Sequence, residues 1–131
     1  MRNLLLAAAL FAITPIVAHV AHAAAPQAPT TASARTPAAE IDAIIDRVAH
    51  ANGVVFIRNG SEYTAAEAAQ HLVRKRKAAG DRIRTPEQFI DKLGARSSMT
   101  GKPYRVRLPD GREMDSATWL TGLLQEVRAK H

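Results

Sequence analysis

The sequence predicts an α+β fold: two β-hairpins in a small antiparallel sheet with about four helices packed around it, a helix-hairpin-helix pattern that occurs twice. Three observations carry this expectation. Two glycine turns, Asn59-Gly60 and Pro109-Asp110-Gly111, each interrupt a stretch of strand-like alternation. A helix-cap residue, Thr64 or Asp115, follows each turn glycine by four positions. Apolar residues at helical spacing flank both hairpins.

The chain begins with Arg2 in a short basic head, an apolar run from Leu4 to Val20 and the closing triplet Ala21-His22-Ala23. That is the pattern of a secretory signal peptide over residues 1–23, cleaved after Ala23. Pro15 and His19 interrupt the run, which falls short of the roughly 20 apolar residues of a spanning helix. A periplasmic, secreted protein with no transmembrane segment after cleavage is therefore expected. Residues 24–37 are punctuated by Pro26 and Pro29 and poor in large apolar side chains, and they read as a flexible leader. Residues 38–131 read as a single domain, long enough for one modest core.

Thr36 as cap, with Pro37 at the first helical position, opens a helix that carries Ile41, Ile44, Ile45 and Val48 and stops at Gly53. In the following VVFIRNGSEYT, Asn59-Gly60 suits the two positive φ angles of a type I′ turn, which sets Phe56 opposite Tyr63. Thr64-Ala65-Ala66-Glu67 is a capping box, and its helix runs through Leu72 and Val73 to Gly80. Thr85-Pro86-Glu87-Gln88 repeats the cap before Phe89, Ile90, Leu93 and Gly94. In YRVRLPDGREM a three-residue turn with Gly111 in the left-handed region sets Val106 opposite Met114, Arg107 opposite Glu113 and Arg105 opposite Asp115. Asp115 then caps a last helix with Trp119, Leu120, Leu123, Leu124 and Val127. Gly60 and Gly111 stand 51 positions apart (111 − 60), and at that offset Thr64 falls on Asp115, Ala69 on Leu120, Leu72 on Leu123 and Val73 on Leu124. A duplication or two units obeying the same physics both give this order.

The chain has no cysteine, which excludes disulfides and thiolate chemistry. Its net charge of +6 favours acidic partners. For an exported protein these are an acidic envelope component or another envelope protein, and not nucleic acid. Nothing in the sequence calls for a cofactor, and the scattered histidines make no metal motif.

The blocks FIRNGSEYTAAEAAQHL, AGDRIRTPEQFI and RSSMTGKPYRVRLPDG, in this order, resemble the YfeK-like family of small exported bacterial proteins, over roughly residues 41–124. The resemblance implies a bacterial envelope location and a small single domain. The family is one of unknown function, so it brings no activity, cofactor or site residue.

Two regions hold the candidate binding residues. The first is the basic end of the second helix, where His71 lies one turn before Lys75 and the run continues with Arg76 and Lys77. Four successive helical residues, Arg74 to Lys77, sweep about 300°, so at least one must lay its aliphatic stem along the core. Cations at a helix C-terminus also complement its dipole, a purely structural use. The second region is the loop of Arg96, Ser97, Ser98, Thr100 and Lys102 leading to Tyr104, which gathers hydroxyls and cations. Its hydroxyls serve equally as turn-formers. Together they point to a binding or inhibitory accessory protein without catalytic residues. A hydrolase pairing Ser97 or Ser98 with His71 is the alternative, and an assembly factor with an apolar patch at Tyr63, Phe89 or Trp119 is another.

Overall fold

The computed structural model describes residues 34–130; the expected signal peptide, most of the expected leader and His131 fall outside the described residues. The elements are α1 (Pro37–Ala49), β1 (Val55–Arg58), β2 (Ser61–Tyr63), α2 (Ala65–Ala79), α3 (Pro86–Phe89), β3 (Arg105–Arg107), β4 (Glu113–Asp115) and α4 (Ser116–Ala129). A 3-10 turn over Gly80–Arg82 extends α2, and a π turn over Ile90–Gly94 extends α3. The four strands form one antiparallel sheet in the order β2-β1-β3-β4, so the fold is α+β.

Local chemistry sets both hairpins. Asn59 (φ 50°) and Gly60 (φ 81°) occupy the left-handed region, and Phe56 stands opposite Tyr63. Gly111 (φ 85°) closes the three-residue turn, and Arg105–Asp115, Val106–Met114 and Arg107–Glu113 are the paired positions of β3 and β4. The hairpins meet through β1 and β3, with Phe56 opposite Val106, Val55 opposite Arg107 and Ile57 opposite Arg105. This register maps each hairpin onto the other by an approximate two-fold rotation about the Phe56–Val106 pair.

Strand alternation divides the sheet into two faces. Phe56 and Val106 are buried on the inner face, where the helices gather. The outer face is a lattice of exposed ion pairs in which Arg107 reaches Glu62 (2.7 Å) on one edge strand and Glu113 (3.0 Å) on the other, while Arg105 meets Asp115 (2.8 Å). Exposed pairs of this kind contribute little stability each but cover both edge strands with charge.

The helix ends follow their capping residues. The Thr36 side chain accepts from Ala39 N–H, Thr64 and Glu67 form the reciprocal capping box, and Thr85 accepts from Gln88 N–H. Asp115 occupies the cap position of α4 without capping it, because its carboxylate is engaged by Arg105. α1 ends at Ala49 with His50 as its cap, and Gly53 serves the next turn, where a Cβ would meet Pro109 at 3.2 Å.

Ile41, Ile44 and Val48 of α1, Phe89, Ile90 and Leu93, and Leu120, Leu124 and Val127 of α4 build the core with Phe56 and Val106. At one flank the Glu40 carboxylate is held by two nitrogens of Arg128, at 2.8 and 2.9 Å, and Arg128 also reaches Glu87 at 2.8 Å. These contacts tie α1, α3 and α4 together. Val73, aligned by the 51-residue offset with buried Leu124, is 49% exposed, so the two halves agree at Ala69 and Leu120 but not at every core position.

Gly94 at the end of the π turn is held by packing. A Cβ on Gly94 would stand 2.5 Å from Leu120 Cδ1, so the backbone lies directly against the α4 side chain. Gly94→Ala is expected to cost about 1–3 kcal/mol through overpacking, and Leu120→Ala about 2–5 kcal/mol through the cavity it leaves. Chemical denaturation of the two single variants and the double variant should give a double-variant loss smaller than the sum, because the alanine methyl enters the vacated space. Additive losses would place the two residues out of contact.

Candidate functional site

Beneath the inner face, a pocket of about 200 Å³ opens between β1, β2, α2 and the start of β3. Its apolar wall includes Phe56, Ala68, Leu72 and Leu120, with Gly94 of the π turn also part of the lining. Its polar lining is Arg58, Tyr63, His71 and Tyr104 together with Glu67, Gln70, Arg74, Arg105 and Ser116. Arg58, Tyr63 and His71 arrive there for local reasons. Arg58 shares the inward phase of Phe56 two positions earlier, and Tyr63 follows from the turn register. His71 and Lys75 are one turn apart on α2.

One guanidinium nitrogen of Arg58 lies 2.7 Å from His71 Nε2 and 2.9 Å from Nδ1, so it can donate to whichever nitrogen of the neutral ring carries the lone pair. The other terminal nitrogen donates to the Tyr63 hydroxyl at 3.2 Å, and the guanidinium carbon lies 4.8 Å from the Tyr63 ring centroid. Lys75 lays its stem inward and donates to the Leu93 carbonyl (2.8 Å), with Nζ 5.2 Å from the Tyr104 ring centroid. The Leu93 carbonyl lies within the π turn, so the same backbone irregularity that admits Leu120 also anchors Lys75.

No carboxylate pairs with Arg58 or Lys75 among the described residues. Glu67, the acidic residue at the rim, is committed to the Thr64 cap, whose hydrogen bonds lower its pKa. Burial, then the charges of Arg58, Lys75 and Arg74, lower the His71 pKa to about 4. Burial and Arg58 likewise lower Lys75. At neutral pH the pocket therefore holds a neutral imidazole against the Arg58 guanidinium, with Lys75 nearby over the Tyr104 ring.

The fold does not require these cations. Under the two-fold relation Arg58 corresponds to Leu108, Tyr63 to Met114, His71 to Gly122 and Lys75 to Glu126, which pairs with Arg47. The same scaffold thus folds with apolar or acidic residues at the matching positions.

Of the residues marked from the sequence, the structure gathers His71, Lys75 and Tyr104 in one place. Arg76 points away, paired with Asp42 of α1, and Lys77 is exposed. Ser97 is buried, and its hydroxyl accepts from the backbone N–H groups of Met99 and Thr100 and from the Asn59 amide, so it organises its own turn. Thr100 donates to Asn59 and binds the loop to the first hairpin, while Arg96, Ser98 and Lys102 are exposed. Neither Ser97 nor Ser98 lines the pocket that holds His71. Phe89 is buried and Tyr63 and Trp119 are half-buried, whereas the exposed large apolar residues are Val73 and Met99. Among the described residues no three potential metal ligands converge, and no helix is long and apolar enough to cross a membrane.

Sequence reasoning missed Arg58. The signal was present: once Phe56 faces inward, residue 58 does too, and an arginine in that phase is out of place unless it serves a polar pocket.

A family model described as "Family of unknown function (DUF5329)" matches residues 35–128. The chain belongs to this family. It is 44% identical over 66 residues to a protein of Salmonella typhimurium described as "Uncharacterized protein YfeK", covering 50% of this chain and 55% of that one. The match thus spans about half the length of the curated relative. The YfeK-like resemblance read from the three sequence blocks is upheld. No solved structure matches the chain.

The pKa of His71 makes a test. Its ordinary value is 6.5 and its folded value about 4, so at pH 7 the ring is neutral in both folded and unfolded chains. Between these values the unfolded chain takes up a proton that the folded chain refuses, and stability falls as pH drops through that window. Allowing for solvent screening of a partly exposed ring, the loss is roughly 1–2 kcal/mol. Urea titrations of parent and His71→Gln at pH 7 and pH 4.5 should show the variant losing less stability than the parent. Equal losses would mean that His71 titrates normally in the folded protein.

Proposed function

We propose that this is a non-catalytic binding protein of the bacterial cell envelope that holds a small anionic ligand in the Arg58–Tyr63–His71 pocket. The observation that carries the reading is the Arg58 guanidinium, which faces an apolar-walled pocket without a carboxylate partner among the described residues. Arg58 donates to His71 and Tyr63 and retains further N–H groups for a ligand oxygen. The Tyr63 hydroxyl accepts from Arg58 and keeps its own proton to donate. The envelope location rests on the Arg2, Leu4–Val20, Ala21-His22-Ala23 pattern, and the basic charge balance agrees with an acidic partner there.

The pocket supplies recognition without an evident activated nucleophile. His71 at neutral pH is a hydrogen-bonding group fixed by Arg58, and the hydroxyl that a hydrolytic pairing would use, Ser97, is occupied by its own turn. Binding alone accounts for the arrangement.

Calorimetric titration of the folded chain with a panel of small carboxylates and inorganic phosphate tests the reading. At least one anion should bind, and Arg58→Leu, which installs the residue found at the matching position of the second hairpin, should weaken it about 10- to 100-fold, as expected for loss of about 1.5–3 kcal/mol at a charged hydrogen bond. Lys77→Ala should leave affinity unchanged. Equal binding by parent and Arg58→Leu would remove the pocket from the account.

A further inference from the structure

The two halves of the domain differ at one more position, and the difference concerns shape. Residue 68 of α2 corresponds to residue 119 of α4. In the second half that residue is Trp119, whose indole lies edge-on to Phe56 with ring centroids 5.3 Å apart and an interplanar angle of 74°. In the first half it is Ala68, a methyl group at the pocket wall. Where the second half sends an indole across the sheet to Phe56 of β1, the first half presents only a methyl group and leaves a cavity. The remaining wall is also aromatic: Tyr63 under the Arg58 guanidinium, and Tyr104 edge-on to His71 at 6.5 Å.

Resting on the pocket reading above, we infer that the ligand is a planar aromatic carboxylate, one or two fused rings in size, with its ring system in the space beside Ala68 and its carboxylate on Arg58. Size supports this, because a cavity of about 150 Å³ accepts benzene and this one measures about 200 Å³. Drug-sized ligands occupy roughly 300–1,000 Å³ and are too large. Ring edges and faces of Phe56, Tyr63 and Tyr104 favour a flat π-system, which loses no chain entropy on binding, over a flexible alkyl chain of equal area. The carboxylate meets the free N–H groups of Arg58 and the Tyr63 hydroxyl, with Lys75 and Arg74 adding to the positive field sensed at His71. A neutral ring would leave these donors desolvated and unpaired, so charge and planarity are both required.

The experiment is calorimetric titration with indole-3-carboxylate, octanoate and neutral indole, on the parent, Ala68→Trp and Arg58→Leu, each first checked for folding by circular dichroism. Indole-3-carboxylate should bind the parent at least tenfold more tightly than either comparison compound. Ala68→Trp, which places an indole in the cavity, should abolish binding while the chain stays folded. If that variant does not fold, Ala68→Leu should still weaken indole-3-carboxylate at least tenfold. Octanoate binding as tightly as the aromatic acid, and lost in Arg58→Leu, would overturn the inference while leaving the anion pocket intact. Neutral indole binding as tightly as its carboxylate, or no compound showing dependence on Arg58, would overturn both. A peptide ending in tryptophan that binds where indole-3-carboxylate does not would also overturn it, in favour of a protein partner.

Discussion

The antiparallel pairing of β1 with β3 is the constraint on which the structure depends. It places Phe56 against Val106 at the centre of the sheet and relates the two hairpins by an approximate two-fold rotation. Inner and outer faces follow from that register, since a slip of one residue would turn Phe56 and Val106 outward and bring Arg105 and Arg107 into the core. The charged lattice reinforces the choice, because Arg107 can reach both Glu62 and Glu113 only when β1 and β3 are neighbours in this alignment.

Symmetry of the scaffold makes its departures informative. In the second half Leu108 and Met114 are apolar, Trp119 packs against Phe56 of β1, and Glu126 pairs with Arg47 of α1. The first half has Arg58, Tyr63, Ala68 and His71 at the corresponding positions and leaves a pocket. Burial and the neighbouring Arg58 lower the Lys75 pKa, and holding these two cations close without a carboxylate partner among the described residues is an electrostatic cost that a folded core has no use for. An anion in the pocket relieves that cost. The π turn supports the arrangement from below, with Gly94 admitting Leu120 and the Leu93 carbonyl fixing Lys75.

Much of this fold is legible in the sequence because its determinants are local. Asn59-Gly60 and Pro109-Asp110-Gly111 specify two turns, the turns specify two registers, and Thr64 with Glu67 specifies a helix start. Pairing of β1 with β3 joins segments about 50 residues apart and leaves no local signature. The close approach of Leu120 to Gly94 in the π turn is likewise invisible, since it joins segments distant in the chain. Asp115 has the composition of a cap, but a cross-strand arginine competes successfully for its carboxylate. At the site, helical spacing brought His71 and Lys75 together correctly, while the hydroxyls of the Arg96–Lys102 loop proved to be turn-formers at Ser97 and Thr100. Arg58 was readable from strand phase, yet an arginine beside a turn is ordinarily a solvent-facing residue.

The central claim is that cations surround His71 because an anion belongs among them. Nuclear magnetic resonance titration of the His71 ring, in the presence and absence of indole-3-carboxylate, tests it most directly. The account predicts a pKa of about 4 in the free protein and a clear rise when the carboxylate is bound, since the added negative charge favours the imidazolium. A free-protein value near the ordinary 6.5, unmoved by the ligand, would contradict it.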